Sequence, residues 1–247
     1  MANSTNLVRM RCTIRGTRPL LQHSFGPWAI PLTPGEKTGV AGNDPVEWRR
    51  TMLVTPEGQL YLPDSYFFGC LRDAAKYTKR GRGTLQTALA ATLQIEEPRI
   101  LLNRYLPSKG DPPMEPTADV YVDICGVKNP ATKGRNVRYR LASGPGWECT
   151  FTAIFDRSIV SREQFLAVLN DAGKLVGLAD GRAMGRGRFE VLKTEELNAE
   201  EKTTAADLEG APKNRLEEGS EQMRPVLAGV NGGDGAHRSR PKRKKGD

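Results

Sequence analysis

SREQFLAVLNDAGKLVGLADGRAMGRGRFEV, residues 161–191, reads as a capped helix, a turn, a glycine-rich loop and a strand. Ser161 followed by Gln164 is a capping-box start, in which each side chain satisfies a backbone N–H of the other residue. Phe165, Leu166, Val168 and Leu169 supply an apolar stripe at helical spacing. Asn170-Asp171-Ala172-Gly173 is the expected helix end, with Gly173 taking the left-handed conformation. Beyond it, glycines at 177, 181, 185 and 187 alternate with arginines as Gly181-Arg182, Gly185-Arg186 and Gly187-Arg188. Glycine lets a backbone approach a ligand closely and leaves N–H groups exposed, and arginine offers a planar fork of donors matched to phosphate oxygens. Such a loop suits a polyanion, although the same composition also makes a plain turn between helix and strand. No Gly-Lys-Ser/Thr closes the loop, and it precedes a strand instead of opening a helix. Neither a nucleotide P-loop nor the dinucleotide fingerprint is present.

Composition places the charge. The chain has 247 residues and a formal charge of +8. From Glu195 onward there are 10 Lys+Arg and 11 Asp+Glu, which leaves 27 and 18 in residues 1–194, a net of +9 there. The positive field therefore belongs to the part expected to fold, and it favours a polyanionic partner. The four cysteines (12, 70, 125, 149) form no CxxC pair and no His/Cys ligand set. Metal and cofactor are not expected. Cys12, Cys125 and Cys149 fall in strand patterns as small buried hydrophobes, so the thiols read as reduced ones in a cytoplasmic protein. No apolar run approaches membrane-spanning length, and the N-terminus has no hydrophobic signal core.

The rest of the chain alternates between patterned and unpatterned stretches. Residues 8–15 place Val8, Met10, Cys12 and Ile14 on one face and Arg9, Arg11, Thr13 and Arg15 on the other, as in a half-buried strand with a basic outer side. An insertion over 16–60 follows, rich in Gly and Pro, and insertions of this length are often functional. It carries Trp48, Arg49 and Arg50, an indole beside guanidiniums that either stacks on a nucleic acid strand or anchors the loop to its own domain. Asp44 within it reads as an Asx-turn residue or, alternatively, as a cleavage-site carboxylate. Residues 60–80 are a short strand and a helix capped by Asp64 or Ser65, with Phe67, Leu71, Ala74 and Ala75 buried and Arg72 and Lys76 on a basic side. A helix over 84–93 and strands at 98–103 and 119–124 come next. A second basic insertion, 126–146, interleaves Arg135, Arg138 and Arg140 with Tyr139, either as a single-strand-binding segment or as a hairpin with one wet side. The strand at 147–156 turns Trp147, Cys149, Phe151, Ala153 and Phe155 inward. Residues 195–247 read as a disordered tail, acidic and then basic. Its PKRKK cluster is either an electrostatic arm on nucleic acid or a solubilising end.

This order gives an α+β fold, a ferredoxin-like or RRM-like βαββαβ plan with two long insertions. Two segments resemble landmarks of the RAMP superfamily of CRISPR-associated proteins. YLPDSYFFGCLRDAA is similar to its proline–x–serine, glycine–x–leucine–arginine helix, here Pro63, Ser65, Gly69, Leu71 and Arg72. VGLADGRAMGRGRFEV is similar to its glycine-rich loop before the final strand. The resemblance spans roughly residues 8–193. Within the superfamily the chain most resembles a repeating backbone subunit of a multisubunit RNA-guided effector. That resemblance implies a palm on guide-RNA phosphates, an inserted thumb drawn from 16–60 or 126–146, and copies of the subunit stacked in a filament beside other effector subunits. It also implies a target-cutting position at Asp44. An endoribonuclease of the same fold is the alternative, with His23 as its general base; an orphan protein of a phage or mobile element without an RNA role is a further one.

Overall fold

In the computed structural model, which describes residues 6–25, 44–128 and 134–197, strand β1 (Leu7–Gly16) sits at the heart of a six-stranded antiparallel sheet. Its neighbours are β10 (Glu148–Asp156) on one side and β11 (Phe189–Leu197) on the other. Beyond β10 comes β7 (Arg99–Tyr105), and β3 (Gln59–Pro63) forms the edge. A two-residue strand β6 (Gln94–Ile95) also pairs with β10. Taken in chain order, β1, β7, β10 and β11 are arranged 4-1-3-2, the ferredoxin-like arrangement expected for a βαββαβ palm.

Helices cover one face. Helix α2 (Asp64–Ala74) enters between the first and second palm strands, and α4 (Arg162–Asp171) between the third and fourth. Phe67 of α2 meets Phe151 of β10 with ring centroids 4.7 Å apart, and Phe165 of α4 stacks on Phe155 at 4.5 Å. The even positions of β1 (Val8, Met10, Cys12, Ile14) join that core, as their alternation requires. Ser161 and Gln164 form the complete capping box that starts α4. Helix α2 is capped otherwise: Pro63 is its N-cap, with no side-chain bond, and Asp64 Oδ1 accepts the Ser65 N–H at 2.7 Å. Helix α3 (Gln86–Thr92) follows a small hairpin of β4 (Lys79–Arg80) and β5 (Gly83–Thr84).

Both expected insertions contain ordered structure. The first holds β2 (Leu20–Gln22) and the short helix α1 (Glu47–Thr51); its residues 26–43 lie outside the described residues. The second is the distal part of a hairpin between β8 (Val120–Lys128) and β9 (Arg135–Ser143), paired over nine positions. Strand β2 adds to β9, which makes a second sheet of order β2-β9-β8. The hairpin reading of 126–146 is therefore the one realised among the described residues, with Tyr139–Ser143 of β9 all buried.

Two boundaries shift. Helix α4 does not end at Gly173; the chain widens into one π-helical turn, Ala172–Val176, closed by Gly177 at φ +84°. Gly173 is glycine for space: a methyl group there would overlap the Phe189 carbonyl oxygen. The final strand also runs past 194 to Leu197, with Glu195 and Glu196 opposite Arg11 and Met10. The expected tail lies, from 198 on, outside the described residues.

Candidate nucleic-acid interface

The glycine–arginine loop is built against the segment that follows β1. Gly187 N–H donates to Pro19 O at 2.7 Å, Asp180 N–H to Leu21 O at 3.0 Å, and Thr17 N–H to Arg188 O at 2.8 Å. All four loop glycines have positive φ, from 68° to 84°. Between Gly181 and Gly185 the chain makes a 3-10 turn, Arg182–Met184. The N–H groups of Met184, Gly185 and Arg186 donate to Gly181 and Arg182 carbonyls within that turn. The amides of Leu178, Asp180, Met184, Gly185, Arg186 and Gly187 are thus engaged by the loop itself and by residues 19–21.

Side chains carry what remains. Arg182 lies 3.2 Å from Asp73 of α2, and Arg186 lies 3.4 Å from Asp123 of β8. These two guanidiniums pin the loop to the palm and to the second sheet. Arg188 differs, since its side chain has no hydrogen-bond or ion-pair partner among the described residues, and its Nη1 is enclosed. It lines a groove of about 600 Å³ with Arg18, Lys174, Thr17 and Asn170, in which Glu190 is the carboxylate. Arg18 and Lys174 are exposed at its rim. They were missed in the sequence because neither belongs to a motif; Arg18 enters only because residues 17–21 form the bed of the loop.

The other expected contacts divide by burial and pairing. Arg9 chelates Glu96 at 2.6 and 2.8 Å, and Arg15 meets Glu148 at 2.7 Å. Arg11 and Arg135 have no ion-pair partner among the described residues. Arg72 folds onto Asp73 at 2.9 Å, and Lys76 lies 5.0 Å from the centroid of the Tyr77 ring. Trp48 corrects the stacking expectation: it is 6% exposed, packed in the core, with Arg49 over its ring at 5.3 Å and held by Asp111 at 2.6 Å. Tyr139, 8% exposed, and Arg140, buried and 2.6 Å from Asp180, are likewise interior groups. In a hairpin packed on α1 and the loop, these inward positions of β9 cannot also face a strand of nucleic acid.

The two catalytic candidates are also engaged. Asp44 Oδ1 accepts the Val46 N–H at 3.2 Å, the Asx-turn geometry, and Oδ2 pairs with Arg50. His23 Nε2 lies 3.5 Å from Glu47 Oε1, an ion-pair distance for the protonated imidazole. Arg138 donates to the same Glu47 carboxylate, and the Tyr139 N–H reaches its other oxygen at 3.3 Å. Burial acts to raise the Glu47 carboxyl, but His23, Tyr139 and Arg138 outweigh it and hold it at about 2. The cluster fastens α1 to β9. Cys12 and Cys149 are buried as expected and Cys70 is buried within α2, whereas Cys125, expected to be buried, is half-exposed on β8. Among the described residues no group of His, Cys, Asp and Glu is placed to hold a metal, and no helix is long and apolar enough to cross a membrane.

Fold and groove together define an α+β protein with a ferredoxin-like palm, a second three-stranded sheet, and a cationic groove beside a glycine-rich loop. No family model matches the chain, and no curated protein does. Among solved structures it is similar to a chain in the cryo-EM structure of the type III-B Cmr-beta bound to cognate target RNA. The identity is 15% and the TM-score 0.41; the match covers 78% of this chain and 61% of that one.

Proposed function

We propose that this protein binds single-stranded RNA along its phosphates, as a non-catalytic, guide-RNA-binding backbone subunit of a RAMP-type CRISPR effector. Copies of itself and other effector subunits would be its neighbours. The observation that carries the reading is the groove of Arg18, Lys174 and Arg188. There an enclosed guanidinium nitrogen lacks an acceptor, and three cations face one carboxylate. A buried donor without a partner costs free energy until an acceptor arrives, and a phosphate oxygen is the acceptor that also matches the charge. Support comes too from the palm topology, from the resemblance of the loop to the superfamily's, and from the basic exit of α2 through Lys79, Arg80 and Arg82, all exposed. The non-catalytic form is favoured because Asp44 is tied to the Val46 N–H and to Arg50.

The test is binding of labelled single-stranded RNA followed by fluorescence anisotropy across a salt series. Each phosphate neutralised on a single strand contributes about −0.7 to the slope of log affinity against log salt. Wild type is expected to bind with a steep slope, and Arg188→Ala to bind more weakly with a slope shallower by about 0.7. Affinity that is the same at low and high salt would contradict the proposal.

A further inference from the structure

A second concavity, of about 630 Å³, lies across the same loop, between the end of α2, strand β8 and the turn Arg182–Met184. Its lining brings exposed apolar side chains together with cations. Tyr77, Leu175 and Met184 expose 48%, 45% and 52% of their surface around it. Lys76 and Lys128 border it without an ion-pair partner among the described residues. Its carboxylates are already neutralised: Asp73 lies between Arg72 at 2.9 Å and Arg182 at 3.2 Å, and Asp180 is held by Arg140 at 2.6 Å. The groove thus combines exposed apolar side chains with a cationic balance.

The two grooves share a thin divide. Lys174 lines the first and Leu175 the second; Gly185 lines the first and Met184 the second. The two grooves therefore adjoin, so a strand lying along one has the other beside it. An aromatic ring, a polarizable thioether and an aliphatic side chain offer the flat, soft surface on which any base can stack, and lysines supply the field that draws the strand in.

We infer that the second groove accepts unstacked bases of the same strand whose phosphates lie along Arg18, Lys174 and Arg188. The inference rests on the RNA-binding reading and adds to it a base-contacting surface centred on Tyr77. Recognition here is by stacking, so it tolerates every base and confers no sequence preference.

The experiment uses the full chain, a short labelled single-stranded RNA and an abasic strand of equal length, with salt series for wild type, Tyr77→Ala, Tyr77→Phe, Met184→Ala and Arg188→Ala. Tyr77→Ala is expected to weaken RNA binding by about 5- to 150-fold, the range of one base–aromatic contact, with the salt slope unchanged. Tyr77→Phe keeps the affinity, and Met184→Ala loses less than Tyr77→Ala. The abasic strand binds wild type and Tyr77→Ala alike. If Tyr77→Ala binds RNA as wild type does while Arg188→Ala still loses affinity and slope, the base site is wrong and the RNA reading stands. A slope that falls with affinity in Tyr77→Ala assigns the loss to phosphate contacts and also overturns the base site. Intact RNA affinity in Tyr77→Ala with a changed sedimentation coefficient overturns it in favour of a protein-docking face. Absence of salt-dependent binding by wild type removes both readings.

Discussion

Arg140 of β9 and Asp180 of the glycine-rich loop meet at 2.6 Å, beside the isolated bridge between Leu21 and Asp180. The pair ties the second sheet to the loop that borders both grooves. Arg140 is buried, so removing its partner strands a charge away from water. Asp180→Ala is expected to lower stability by about 2 kcal/mol, read as a lower urea midpoint at unchanged m-value. An unmoved midpoint would mean that the loop is held by its backbone bonds alone.

Glu47 makes stability depend on acid. Its carboxyl stands at about 2 in the folded chain against an ordinary 4.5, because His23, Tyr139 N–H and Arg138 outweigh the opposing effect of burial. A depressed folded value means that the unfolded chain binds more protons in between, so stability rises with pH through that window. The contribution is complete above pH 4.5 and lost as pH falls toward 2. Urea midpoints of wild type should fall over this range more steeply than those of Glu47→Gln. Parallel curves would show that the cluster does not form in solution.

Trp48 separates packing from binding. It belongs to the core, and a large-to-small change at such a site costs about 3 kcal/mol or more. Trp48→Ala should lower the melting temperature strongly, while the fraction that remains folded binds RNA with wild-type affinity. Lost affinity at intact stability would restore the indole to the interface.

Gly187 and Gly69 form a matched pair of backbone tests. Gly187 has φ +68°, and a methyl group there would overlap the Leu178 carbonyl. Gly187→Ala should destabilise by about 2 kcal/mol and weaken RNA binding with it, since Arg188 is the next residue. Gly69 lies within α2 with nothing within 4 Å of the added carbon, so Gly69→Ala should be stabilising by about 0.5–1 kcal/mol. Chemical denaturation of both variants decides whether the loop conformation matters.

Thiol chemistry checks the core. Burial pushes the Cys12 and Cys70 thiols up to about 12 and Cys149 further in the same direction, whereas Cys125 is half-exposed. A disulfide reagent should modify one thiol of the native protein and all four after denaturation. Native Cys125→Ser should then be unreactive; a thiol that still reacts would show the core opening locally.

By itself the sequence determined the parts whose signal is local. The alternation over 8–15, the capping box at Ser161 and Gln164, the inward residues of 147–156 and the four loop glycines each depend on neighbours a few positions away, and the βαββαβ succession followed from them. Tertiary structure alone decided what each charged or aromatic side chain is for. Gly173 is needed because Phe189 passes over it, and Trp48 and Tyr139 are interior because α1 packs on β9. Arg182 and Arg186 are taken by Asp73 and Asp123, while Arg188, in the same repeat, has no such partner. A guanidinium pairs with the carboxylate nearest in space, and proximity in space between residues 109 apart in the chain is set by the packing of whole elements, which no local pattern encodes.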